Sequence, residues 1–198
     1  MPLGSLAPQS APFAMILWAV MVRLATKLGV SQQYIVPIAG EDGDSWETVP
    51  ELEPLFVYVQ VFGPQPSDGQ GNVLRSPGAP RLAGIALRRI RCYVYTRSGE
   101  DVTGADTIAL LGQASPPGQT YQGFVMPGQF VAEEVVLNAL NDWTPLSGNN
   151  NLCLNVLHWV DSAGGPPLRS RPDMGLIRSA LDFEVEYVLA INPNDPAP

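Results

Sequence analysis

IALRRIRCYVYTR, residues 85–97, and LIRSALDFEVEYVLAI, residues 176–191, decide how the chain is built. Both alternate with a period of two, the pattern of strands whose two faces meet different surroundings. The first places Arg88, Ile90, Cys92, Val94 and Thr96 on one side and Arg89, Arg91, Tyr93, Tyr95 and Arg97 on the other. The second sets Leu181, Phe183, Val185, Tyr187, Leu189 and Ile191 against Asp182, Glu184 and Glu186. One strand is basic on its polar side and the other acidic. If they pair, Arg89 and Arg91 lie across from the acids at 182, 184 and 186, each good pair contributing roughly 0.2–1 kcal/mol.

Around these two strands the elements follow in a simple order. Pro12 stands where a missing N–H costs a helix nothing, and Phe13, Ile16, Leu17, Val20, Met21, Leu24 and Leu28 recur at helical spacing up to a stop at Gly29. Val30–Ile38 and Leu55–Phe62 (LFVYVQVF) read as strands. Ala105–Leu111 offers one or two helical turns. Gln129–Trp143 is a second main helix, ended by Thr144-Pro145. Leu152–Val160 (LCLNVLHWV), apolar on both faces, reads as a central or interfacial strand. Glycine (19) and proline (20) concentrate in residues 63–84, 113–128 and 161–175 and in the tails. The expectation is one α+β domain over residues 1–198, an antiparallel or mixed sheet with two helices packed on one face. Residues 63–84 and 161–175 are its extended loops, and residues 1–11 and 192–198 its flexible arms.

Composition narrows the function. The chain has 198 residues, only 15% of them charged, and a net charge of −8. An acidic chain lacks the concentrated positive field that binding to nucleic-acid phosphates requires. Lys27 is the single lysine, so the other ten bases are arginines. The apolar run Phe13–Val22 has no basic segment before it and at ten residues is too short to span a bilayer. The chain therefore reads as soluble, made in a cytoplasm, with no membrane partner.

No residue pattern points to catalysis. There is no GxSxG, phosphate-binding loop or GxGxxG after a strand. One histidine, His158, and two cysteines 61 positions apart, Cys92 and Cys153, make no standard zinc site. Both cysteines lie in apolar strand-like runs and read as buried thiols, although two residues neither establish nor exclude a disulfide. Glu133 and Glu134 are neighbours on a helix and share no face. Asp42-Gly-Asp44 lies in an acidic stretch, 41–53, that lacks the remaining ligands of a calcium loop. The expectation is no enzyme, no cofactor and no metal.

The order of segments resembles the tail-terminator or tail-completion (neck) proteins of tailed bacteriophages. The matching pieces are LATKLGV (24–30) at the end of the first helix, PLFVYVQV (54–61), the basic strand RRIRCYVY (88–95), the turn GEDVTG (99–104) and the terminal strand SALDFEVEY (179–187). The resemblance spans residues 13–191, and the segments 63–84 and 161–176 are longer than a minimal terminator needs. It implies a structural virion protein: a homo-oligomeric ring, commonly of six subunits, that caps the tail tube, stops its polymerisation and meets the head connector. Its partners would be the tail tube protein and the head–tail connector proteins. DNA would pass through the ring without specific binding, and the protein would be assembled in the host cytoplasm. A head–tail adaptor, a minor tail protein or a decoration or binding module is the competing reading. The candidate interface residues are Arg89, Arg91, Tyr93, Arg169, Arg171 and Glu184, with the 63–84 arm. Against that stands an intrasheet role for the strand arginines and simple solvation for Arg169 and Arg171.

Overall fold

The structure, a computed structural model, describes residues 12–38, 55–67, 70, 85–97, 110–114, 124–147, 150–160, 168–171 and 176–188. Helix α1, Pro12–Leu28, forms where the heptad-like spacing predicts it and buries Ile16, Val20, Met21, Leu24, Ala25 and Leu28. It stops at Gly29, whose φ of +69° is the left-handed conformation that glycine adopts without steric cost. A short 3-10 turn, Gln32–Tyr34, leads into β1, Ile35–Ile38. The strands β2 (Leu55–Val61), β3 (Gln65–Pro66) and β4 (Ile85–Arg97) follow. Next come β5 (Gly112–Ala114), β6 (Phe124–Pro127) and helix α2, Gln129–Leu140. The chain continues through β7 (Leu146–Ser147), β8 (Asn150–Asn151), β9 (His158–Val160), β10 (Leu168–Arg171) and β11 (Leu176–Val188).

Among the described residues, seven strands form one sheet in the order β1-β2-β4-β11-β10, with β3 beside β4 and β9 beside β11. Pairing of β1 with β2 is parallel and the other ladders are antiparallel, so the sheet is mixed. This is an α+β fold. Its spine is the β4–β11 ladder, in register from Ile85↔Val188 to Arg97↔Leu176. Both helices lie on one face, where Ile16, Val20 and Leu24 of α1 and Ala132, Val136 and Leu140 of α2 share a core with Val57, Val59, Ile90, Cys92, Val94, Phe183, Val185 and Tyr187. The opposite face carries a second buried cluster, Phe56, Tyr58, Tyr93 and Tyr95. Tyr34 of the 3-10 turn and Val36 and Ile38 of β1 pack against it.

Several segments depart from the pattern reading, each for a local reason. The strand expected over Val30–Ile38 begins only at Ile35, because the Ile35 N–H bonds to Gln32 O and closes the 3-10 turn. The helix expected to run to Trp143 ends at Leu140: the Asn141 N–H bonds to Leu137 O, Asp142 turns to φ +56°, and Trp143 pairs instead with Leu157. Leu152–Val160 is not one central strand. Its first part bends, with the Leu154 N–H bonded to Glu186 O, and only His158–Val160 joins the sheet, alongside β11. Cys153 therefore sits in a bend rather than a strand. The loop expected at 161–175 contains β10, which pairs with the start of β11, and the ends of the loop expected at 113–128 pair as β5 and β6. Of the segment 63–84, Gln65–Pro66 lies against β4. Most of residues 68–84, the acidic stretch 41–53, residues 105–109, Leu189–Ile191 and both arms lie outside the described residues.

Candidate functional site

Alternation on β4 and β11 brings one polar array to the sheet face away from the helices. Directly opposed residues in an antiparallel ladder share a face. Here Asp182 opposes Arg91 and Glu184 opposes Arg89. The Arg91 guanidinium donates from Nε to Asp182 Oδ1 at 2.6 Å and from Nη2 to Oδ2 at 2.8 Å. That is a bidentate fork on a carboxylate that is itself almost wholly buried. Arg89 donates from Nη2 to Glu184 Oε1 at 2.9 Å, and its Nη1 lies 3.9 Å from Asp182 Oδ2. Hydrogen bonding to Asp182 holds the Arg91 guanidinium well above its ordinary pKa, with burial opposing.

Aromatic rings frame the arginines. Arg91 lies over the Phe62 ring at 5.2 Å and the Tyr93 ring at 5.9 Å, and Arg178 lies over Tyr93 from the β11 side at 5.5 Å. The Tyr93 hydroxyl donates to Gln60 Oε1 at 3.1 Å. Beyond Tyr93 the face becomes aromatic: Phe56 stacks on Tyr95 with centroids 4.7 Å apart, and Tyr58 meets both edge-on. At the other end, Glu186 opposes Leu87 rather than an arginine and accepts hydrogen bonds from Ser67 Oγ and from Asn155 Nδ2. His158 opposes Glu184 on β9 and lies 3.8 Å from Asp142.

The structure thus gathers Arg89, Arg91, Tyr93 and Glu184 on one face. Arg169 and Arg171 sit elsewhere, in β10, in register with Ile177 and Leu176. Asp182 lies five residues along β11 from Ile177, about 17 Å along a strand. Pattern reading named Glu184 as a site residue but passed over Asp182, the more deeply held acid. All three acids alternate identically, and only the three-dimensional register tells which one Arg91 takes. Arg178 and Gln129 were also missed. Gln129, buried at the start of α2, accepts from Thr96 Oγ1 at 2.7 Å and donates to Val94 O and to Ser179 Oγ, which in turn donates to Glu133. This network fixes the start of α2 to β4 and β11.

Chemically, the face is a charge-matched plate. Asp182 and Glu184 are committed to arginines, and Glu186 to a hydroxyl and an amide. Among the described residues, no three His, Cys, Asp or Glu side chains converge on a common point where a metal ion would sit. No described helix is long and apolar enough to cross a membrane. Cys92 and Cys153 are free and buried. Burial pushes the Cys92 thiol far up, and pushes Cys153 up to about 11. No protein-family model matches the chain, and no curated protein matches it.

Proposed function

We propose that the protein is a structural subunit of a tailed-phage virion, a tail terminator or neck component that forms a ring on the end of the tail tube and presents a surface to the head connector. One observation carries this reading. Three of the segments that carry the resemblance, PLFVYVQV, RRIRCYVY and SALDFEVEY, lie side by side as the neighbouring strands β2, β4 and β11 at the centre of the sheet. A fourth, LATKLGV, closes the helix packed over them. The resemblance is therefore concentrated in one spatial unit. The chemistry of that unit also suits a subunit that bears load without reacting: its polar face is internally paired, and of its two arginines Arg89, paired with Glu184, is the more exposed. Arginine and tyrosine are the residues that interfaces favour.

The test is to image virions of the encoding phage carrying a labelled copy of the chain, and particles that lack it. Label at the head–tail joint, with unjoined heads and tubes of uncontrolled length in its absence, supports the reading. Label on the capsid shell or fibre tips, or tails of normal length and attachment without the chain, overturns it.

A further inference from the structure

Strands β1 and β2 are parallel neighbours, with Ile38 beside Gln60. The chain leaves β1 at Ile38 and enters β2 at Leu55, five residues before that level. The connection, residues 39–54, lies outside the described residues. Its ends nevertheless oblige it to return about 17 Å along the sheet, over one face or the other. Crossovers between parallel strands are right-handed in about 98% of cases. The face it takes therefore follows from the hand of the strand order.

Backbone hydrogen bonds give that hand. In a strand of L-residues running upward, a residue whose side chain points at the viewer directs its N–H and C=O to the viewer's right. The Phe62 N–H donates to Arg89 O at 3.0 Å. Phe56, Tyr58 and Gln60 alternate in step with Phe62, so their backbone groups point to β4 as well. Seen from the aromatic face with β2 running upward, β4 thus lies to the right and β1 to the left. The same reading turns Ile35 and Pro37 of β1 outward. That fits Pro37, which has no N–H to give β2, and Ile35, which gives its own to Gln32 O. A right-handed path from a left strand to its parallel neighbour on the right passes in front of the sheet, on the aromatic side.

We infer that the aromatic face of the sheet is an internal surface whose occupant is the chain's own β1–β2 connection, residues 39–54. Burial supports this independently of the hand. Phe56, Tyr58, Tyr93 and Tyr95 are no more than 6% exposed, yet Val36, Ile38 and Ala180, which pack against them, are neighbours within the sheet and lie beside the rings rather than over them. The connection carries Trp46, Val49 and Leu52, apolar side chains suited to an aromatic floor. This placement is independent of the ring reading and removes the aromatic face from the surfaces that another subunit could use.

Photo-cross-linking in the full chain tests it. With p-benzoylphenylalanine in place of Trp46, and separately of Val49, irradiation should join the probe to residues 92–97 of the same chain, the tryptic peptide that holds Tyr93 and Tyr95. Cross-links to α1 or α2, to a second chain, or to no part of the protein overturn the inference. A second variant replaces residues 41–52 by a glycine–serine run of equal length. Tetranitromethane should then nitrate Tyr58 and Tyr95 several-fold faster than in the parent chain, with urea unfolding showing that the rest of the fold survives. Tyrosines that stay protected in the folded variant overturn the inference, and if that variant does not fold the cross-link decides. None of these outcomes bears on the ring reading, which virion imaging judges.

Discussion

Asp182 is the most demanding residue on the polar face, because a buried carboxylate is tolerated only with its partners in place. Arg91 supplies both of its strong hydrogen bonds. Arg91→Ala should therefore cost about 3 kcal/mol in urea unfolding, since it strands a buried charge. A double-mutant cycle with Asp182→Ala should return a coupling of roughly 1–3 kcal/mol, whereas additivity would mean that the pair is energetically idle. Arg89 is half-exposed and its partner Glu184 is also wetted, so Arg89→Ala should cost less than about 1 kcal/mol, and less still at high salt. The thiols work through pH. Cys153 has its folded pKa raised to about 11, so the neutral thiol is favoured by the fold. Its contribution is complete below the ordinary thiol range and is lost as pH rises through that range toward 11. The urea midpoint should thus fall between pH 8 and pH 10.5, and Cys153→Ala should flatten part of that fall. An unchanged slope would show that the thiol plays no part.

At the scale of elements, what was legible in the sequence was whatever repeats. Helix α1 and strands β2, β4 and β11 each carry enough periods for the pattern to exceed local noise, and the charge match between β4 and β11 was visible as arginines against acids. What was not legible was decided by single tertiary bonds. Leu152–Val160 has the composition of a strand, yet Glu186 draws the backbone of Leu154 and the side chain of Asn155 into a bend. Helix α2 had its start read correctly, but its end was settled by pairing of Trp143 with Leu157. The short ladders β5–β6 and β10–β11 fell inside Pro/Gly-rich stretches where alternation has no length to show itself. The junction at Gly128 is a further case. It caps α2 where the chain leaves β6, and a Cβ there would fall inside contact distance of the backbone at Leu110, Leu111 and Gly112. Gly128→Ala must push two backbone segments apart and should destabilise by about 2 kcal/mol or more. Gly63→Ala meets nothing within 4 Å and should stay within about 0.5 kcal/mol. Equal effects at the two sites would deny the close approach.

For the whole molecule, a long, strongly paired sheet raises the question of what opposes its growth by further strands. Among the described residues, two edges carry small devices that would oppose it. Pro37 withholds a donor from β1, and Asn141, one residue past α2, reaches over to satisfy the outer N–H of Trp159 on β9. Pro37 lies on β1 and Asn141 binds the backbone of Trp159, so their replacement tests edge protection while leaving every arginine and carboxylate of the plate in place. Pro37→Val restores a donor, and Asn141→Ala leaves the Trp159 N–H unpaired on an edge that already exposes the indole. Combined, they should leave the circular-dichroism spectrum of dilute protein unchanged while raising light scattering on concentration and producing strand-paired aggregates. If the edge variants scatter no more light than the parent chain, the short length and twist of the strands protect the edges by themselves, and Pro37 and Asn141 serve only the local turns they occupy.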